Sequence, residues 1–147
     1  MKRSQRWFLV AMIFAGLQLV ACTQATGGPS TKIEPAMVEL IPGTKLNRVV
    51  LTERAAQRLD IQTTPLRDEQ VKGAQRKLVP YAALLYGLNG ETWIYTSPAP
   101  LTYVREAITV DYIDGDTAVL LEGPPVDTAV VMVGVAELYG TDTGVGK

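Results

Sequence analysis

The chain is 147 residues long, carries 14 Lys/Arg against 15 Asp/Glu, and contains one cysteine and no histidine. The lack of histidine removes the commonest general base, the commonest transition-metal ligand and the usual switch near neutral pH. A single thiol excludes an internal disulfide and a thiolate metal cluster, and there is no concentrated basic run of the kind nucleic-acid binding needs.

Lys2, Arg3 and Arg6 open the sequence, an uncharged run from Trp7 to Val20 follows, and Leu19-Val20-Ala21-Cys22 closes the segment. A basic start, a short apolar stretch and a small residue before a cut predict a secretory signal over residues 1–21. The run is shorter than the roughly 20 apolar residues that a membrane helix needs. Leu at −3, Ala21 at −1 and Cys22 at +1 resemble the bacterial lipobox. That resemblance implies cleavage between Ala21 and Cys22 and lipidation of the Cys22 thiol, for example with palmitate. Covalent lipid is then the one prosthetic group expected, and membrane lipid the first partner. The expectation is an exported lipoprotein, anchored in the cell envelope and facing the periplasm. Thr23 at +2 is not the aspartate that retains such proteins in the inner membrane of enteric bacteria, so inner and outer membrane both stay open.

The chain beyond Ala21 is long enough for one domain with a modest core, which apolar packing must stabilise without disulfides. Residues 23–77 hold nine Lys/Arg against six Asp/Glu, whereas residues 78–146 hold Arg105 against nine acids. Such an asymmetry presents two electrostatically different faces. Thr26-Gly27-Gly28-Pro29-Ser30 and Pro42-Gly43 predict a flexible tether over residues 22–45.

A folded domain is expected over residues 46–140. Val49-Val50-Leu51 reads as a strand, and Thr52 as the N-cap of a short helix from Glu53 to Leu59 with Ala55, Ala56 and Leu59 on one face. Glu53 and Arg58 suit that helix's dipole. Ile61 to Leu66 reads as extended, because Pro65 disfavours helical backbone at Thr64. Residues 67–77 are polar apart from Val71 and Ala74, as in a solvated loop or an exposed hairpin.

From Leu78 onward the pattern is β. Asn89-Gly90 signals a tight hairpin turn that returns into Thr92-Trp93-Ile94-Tyr95-Thr96. Ser97-Pro98-Ala99-Pro100 breaks that strand, and Tyr103 to Ile113 is a long one. Asp114-Gly115-Asp116 is a second turn, followed by strands over Thr117 to Leu121 and Ala129 to Val133. Ala136 to Tyr139 reads as a last helical turn, and residues 141–147 as a disordered tail. The fold class expected is mostly β, a small β-sandwich or roll with one short helix.

Chemistry is sparse. Asp111, Asp114 and Asp116 lie close together, but the strand pattern on both sides favours a hairpin turn over an EF-hand-type loop closed by Glu122. No serine has a histidine partner, and the carboxylates sit singly, so neither catalytic residues nor a metal site is expected and the chain does not read as an enzyme.

Leu51-Thr52-Glu53-Arg54-Ala55-Ala56-Gln57-Arg58-Leu59-Asp60-Ile61-Gln62-Thr63-Thr64-Pro65-Leu66 resembles the segment of periplasmic adaptor proteins that leads into their core. These are the membrane-fusion, or HlyD-like, proteins of RND-type tripartite efflux systems. Val79-Pro80-Tyr81-Ala82-Ala83-Leu84-Leu85-Tyr86, Gly90 to Tyr95, Val104 to Val110 and Gly134 to Gly140 follow in the order of that family's membrane-proximal domain. The adaptor's coiled-coil hairpin, lipoyl domain and β-barrel domain have no counterpart between the two halves, where only residues 67–77 intervene. The resemblance implies a non-catalytic accessory subunit that docks on a membrane efflux transporter or on a full-length adaptor during transmembrane transport. Glu91, Glu106, Asp114 and Asp116 are the expected contact residues, while Trp93 and Tyr95 read as packing. The alternative is a stand-alone ligand- or metal-binding envelope lipoprotein.

Overall fold

The computed structural model describes residues 34–145. The expected signal, the Ala21–Cys22 cleavage site, residues 22–33 of the expected tether and the last two residues of the chain lie outside them. In chain order the elements are β1 (Ala36–Leu40), β2 (Asn47–Leu51), α1 (Glu53–Arg58), β3 (Gln62–Pro65), β4 (Arg67–Val71), β5 (Ala74–Pro80), a 3-10 turn (Tyr81–Ala83), β6 (Leu85–Tyr86), β7 (Thr92–Ala99), β8 (Thr102–Asp114), β9 (Thr117–Glu122), β10 (Ala129–Val133) and α2 (Val135–Thr143).

Antiparallel pairing runs β3-β10-β7-β8-β9-β5-β4. β3 and β4 are separated by Leu66 alone, so the two ends of this order are one stretch of chain and the sheet closes into a roll. Leu66 makes the seam: its N–H donates to Thr128 O at 2.8 Å, and its carbonyl accepts from Asp127 N at 2.9 Å. β8 serves both halves. Its first part pairs with β2 and β7, its second with β9, and register shifts at Thr109/Val110 and Val110/Tyr112 let one long strand curl between them.

The period of two along β7 decides where the apolar side chains go. Ile94 enters the interior of the roll with Leu66, Val79, Ile108, Leu120 and Val130. Tyr95 faces the other way and joins Val49, Leu51, Tyr103, Val131 and Leu138 in a second core, which α1 and α2 cover through Ala55 and Val135. α1 begins where expected, with Ala55 N–H donating to Thr52 Oγ1 at 3.2 Å.

The polar stretch 67–77 takes the hairpin form: β4 and β5 pair in register from Arg67↔Leu78 to Val71↔Ala74. Lys72 and Gly73 form its turn with φ of 50° and 81°.

Two expectations need correction. The tether read over residues 22–45 contains β1, which pairs with β2 from Ala36↔Leu51 to Leu40↔Asn47, so the ordered domain begins before residue 46. Backbone pairing at a sheet edge needs no long apolar run, and Ala36 alone of this strand packs against the second core. The tail read as disordered over 141–147 contains the end of α2, and Asp142 is only 5% exposed. The helix stops at Gly144, whose φ of 73° supplies the left-handed cap.

Candidate functional site

Strand register gives the roll two distinct ends. At the proximal end Ala36 pairs with Leu51, Thr52 N–H donates to Pro35 O at 3.0 Å, and Leu51 N–H donates to Leu101 O at 2.9 Å beyond the last residue of β7. At the distal end the turn from Gly87 to Glu91 precedes the first residue of β7, and the β8–β9 turn carries Asp114 and Asp116.

The four predicted contact acids divide unequally between positions. Glu91 is exposed in the distal turn, where Asn89 Nδ2 and Asn89 N each donate to its carboxylate at 3.1 Å. The Asn89 amide and then the turn's own backbone N–H groups hold the Glu91 carboxyl below its ordinary value. Asp114 and Asp116 are exposed at the same end and line a cleft of about 320 Å³, with Arg67, Glu69 and Tyr112 among its other walls. Glu106 departs from expectation. It lies opposite Ile94, is half-buried, and accepts from Thr96 Oγ1 at 2.7 Å, while Thr96 itself is buried. Glu106 is a structural acceptor rather than a free contact acid, because its position in the β8 alternation turns it inward.

The polar feature that composition and spacing left unnoticed is a buried cluster under α2. Asp142 Oδ2 accepts from Tyr95 Oη at 2.8 Å, Asp142 Oδ1 accepts from Asn47 Nδ2 at 2.9 Å, and Arg105 Nε stands 3.5 Å from Oδ2 as an ion pair. The Arg105 guanidinium also lies over Trp93, 5.0 Å from the ring centroid, and over Tyr139 at 5.6 Å. Burial first, then the hydrogen bond to Asp142, pushes the Tyr95 phenol far above its ordinary value of 10.0. A signal for this cluster exists in the sequence: Val135, Leu138 and Asp142 fall at i, i+3, i+7, which puts the carboxylate on the helix face that packs inward. The cluster is a strut between α2 and the sheet, and it leaves Trp93 half-buried under a cation.

Asp111, read with Asp114 and Asp116 as a turn group, instead faces Arg76 at 3.8 Å. Among the described residues no three His, Cys, Asp or Glu side chains are grouped to hold a metal ion, and no helix is long and apolar enough to cross a membrane. Cys22 lies outside the described residues. No protein-family model, curated protein or solved structure matches the chain.

Proposed function

We propose that the protein is a lipid-anchored, non-catalytic accessory subunit of the periplasmic adaptor type, which docks on a membrane efflux transporter. The observation that carries this reading is the meeting of the two family-like segments in one roll. Residues 51–66 supply α1, β3 and the seam, and residues 79–95 and 104–110 supply the strands that close against them. On this reading the adaptor's additional domains would lie between the two family-like segments, where this chain has only the β4–β5 hairpin that turns at Lys72-Gly73. A roll without those domains suits a subunit that rests beside a transporter rather than one that spans the periplasm.

The test is crosslinking and pull-down from native membranes with the wild type and Cys22→Ala. Recovery of a transporter or adaptor subunit by the wild type, lost in Cys22→Ala, supports both anchoring and docking. Recovery of no transport component with either form overturns the reading.

A second reading, a ligand-binding envelope lipoprotein, draws on the 320 Å³ cleft between Arg67 and Asp116, a volume at the lower end for small-molecule sites. A thermal-shift screen with small polar solutes distinguishes it: a saturable shift abolished by Arg67→Ala favours the cleft as the functional site.

A further inference from the structure

The second core opens to the surface between α1 and the end of α2. Two of its members, Leu51 and Ala55, also line a pocket of about 280 Å³, together with Leu59, Pro35 and Ala36. Ala55 and Leu59 stand one helical turn apart, so α1 and its cap present one apolar face to the pocket. On the α2 side Thr141 adds little polarity, because its Oγ1 hydroxyl already donates to Glu137 O at 2.9 Å. Arg58 is the single charge in the lining. The volume falls just below the roughly 300 Å³ at which small-molecule pockets begin, and it suits a side chain better than a ligand.

The chain itself selects the occupant. The described residues begin at Glu34, and the next two, Pro35 and Ala36, are already part of the pocket lining. Thr52 N–H donates to Pro35 O at 3.0 Å, which holds this entry against the start of α1. Pro35 disfavours helical backbone at Glu34, and residues two apart in an extended chain share a side. A chain that enters extended therefore puts position 33 on the side of Pro35 and position 32 on the opposite one. Ile33 is the only large aliphatic side chain between Thr23 and Glu34. The pocket's Arg58 repels Lys32, whereas a separate groove that also borders Pro35 includes Glu137 and suits a lysine. Two adjacent side chains thus meet two adjacent grooves of matching character. Proximity favours Ile33 over any other apolar group, since it lies two residues from the fixed Pro35 and Cys22 lies a further 11 residues up the chain.

We propose that Ile33 seats in this pocket and straps the segment that follows Cys22 to α1 and α2. The strap closes the second core and makes residue 33 the point at which a pull on the anchor enters the fold. It holds whichever partner or ligand the protein takes. The test is methyl NMR on the full chain in detergent, with the Ile δ1, Leu and Ala methyl groups labelled. The expected result is a nuclear Overhauser contact from the Ile33 δ1 methyl, identified by its loss in Ile33→Ala, to Ala55 or Leu59. In parallel, Ile33→Asp lowers the melting temperature by about 4 °C or more, as loss of a buried aliphatic side chain does in a domain of this size. Ile33→Leu lowers it by less than half as much, and Thr26→Asp leaves it unchanged. No contact from Ile33 to either residue overturns the strap. So do contacts from Leu59 to acyl-chain protons in its place, which make the pocket a lipid site. Contacts seen only between differently labelled chains also overturn it, because the occupant is then a second copy. Equal melting-temperature losses for Ile33→Asp and Thr26→Asp count against it as well, since the effect is then one of added charge rather than of a vacated seat.

Discussion

Tyr95 on β7 and Asp142 on α2 lie 47 residues apart and are joined by a 2.8 Å hydrogen bond in the interior. That bond, with Asn47 and Arg105 on the same carboxylate, seats the C-terminal helix on the outer face of the roll. Replacing Asp142 by alanine leaves the Tyr95 hydroxyl and the Asn47 amide without their acceptor and Arg105 without its counter-charge. The expected loss is about 2–4 kcal/mol, and Asp142→Asn, which keeps an acceptor but not the charge, should lose less. Urea denaturation of the two variants checks the order. A loss below about 0.5 kcal/mol for Asp142→Ala would mean that the cluster does not seat the helix.

The same cluster sets an alkaline limit. The Tyr95 pKa is raised in the folded state from its ordinary 10.0 by burial and by Asp142, and that of Tyr103 is raised by burial. Above about pH 10 the unfolded chain releases these protons while the folded chain retains them, so stability is complete below that pH and falls as pH rises past it. Each such group contributes a slope of up to about 1.4 kcal/mol per pH unit. Tyr95→Phe should flatten the slope by one group's share and leave that of Tyr103. Stability measured from pH 8 to 11 tests this; identical slopes in the two proteins would refute the assignment.

The β half of the roll is legible because its signals are local. Asn89-Gly90, Asp114-Gly115-Asp116 and the alternation through Trp93-Ile94-Tyr95 each fix a turn or a face within a few residues, and the structure places Ile94 and Tyr95 in opposite cores as the alternation requires. β1 is harder to read because Ala36–Leu40 gains its order from pairing with β2 rather than from its own side chains. The tail is misread because Gly140 and Gly144 suggest fraying, whereas Asp142 is fixed by partners at positions 47, 95 and 105 that no local window contains. Glu106 looks like a surface acid until the β8 register turns it toward Thr96. Closure of the sheet is the least legible feature, since it depends on Leu66 meeting residues 127 and 128.

Leu66 is fully buried and joins the two edges of the sheet. Leu66→Ala removes the side chain from the interior core and should cost about 2–5 kcal/mol, as large-to-small changes in cores do. Leu66→Pro additionally deletes the N–H that donates to Thr128 and should prevent folding. Circular dichroism and melting curves separate the two outcomes. A melting temperature for Leu66→Pro equal to that of Leu66→Ala would show that the seam's backbone bond adds nothing.

Gly134 starts α2 with φ of 87°, in a place where a Cβ would run into Ile61 Cδ1 and stand 3.3 Å from Leu59 O. Gly134→Ala combines a disfavoured backbone angle with a steric conflict on the side of the chain that leaves α1. The expected cost is about 1–3 kcal/mol, larger than an exposed glycine substitution gives. Gly90, which has positive φ but open space around it, is the control: Gly90→Ala carries the backbone term alone and should cost less. Equal losses at both positions would show that Ile61 gives way freely.

The β4–β5 turn offers a test of how independent the roll is of anything placed between its halves. Lys72 and Gly73 both have positive φ, as a type I′ hairpin turn requires, and no neighbour lies within 4 Å of the position a Gly73 Cβ would take. A ten-residue Gly/Ser insertion between them lengthens a loop that already faces solvent, and loop-closure entropy grows only by about 0.6 kcal/mol per doubling of length. The inserted protein should fold with a loss of about 1–2 kcal/mol, much of it from giving up the two-residue turn. The same insertion between Leu66 and Arg67 separates β3 from β4 at the seam and should unfold the domain. Melting curves of the two insertions decide the matter. Collapse of both would mean that the hairpin is part of the folding core, and that this position could not carry the additional domains of a full adaptor.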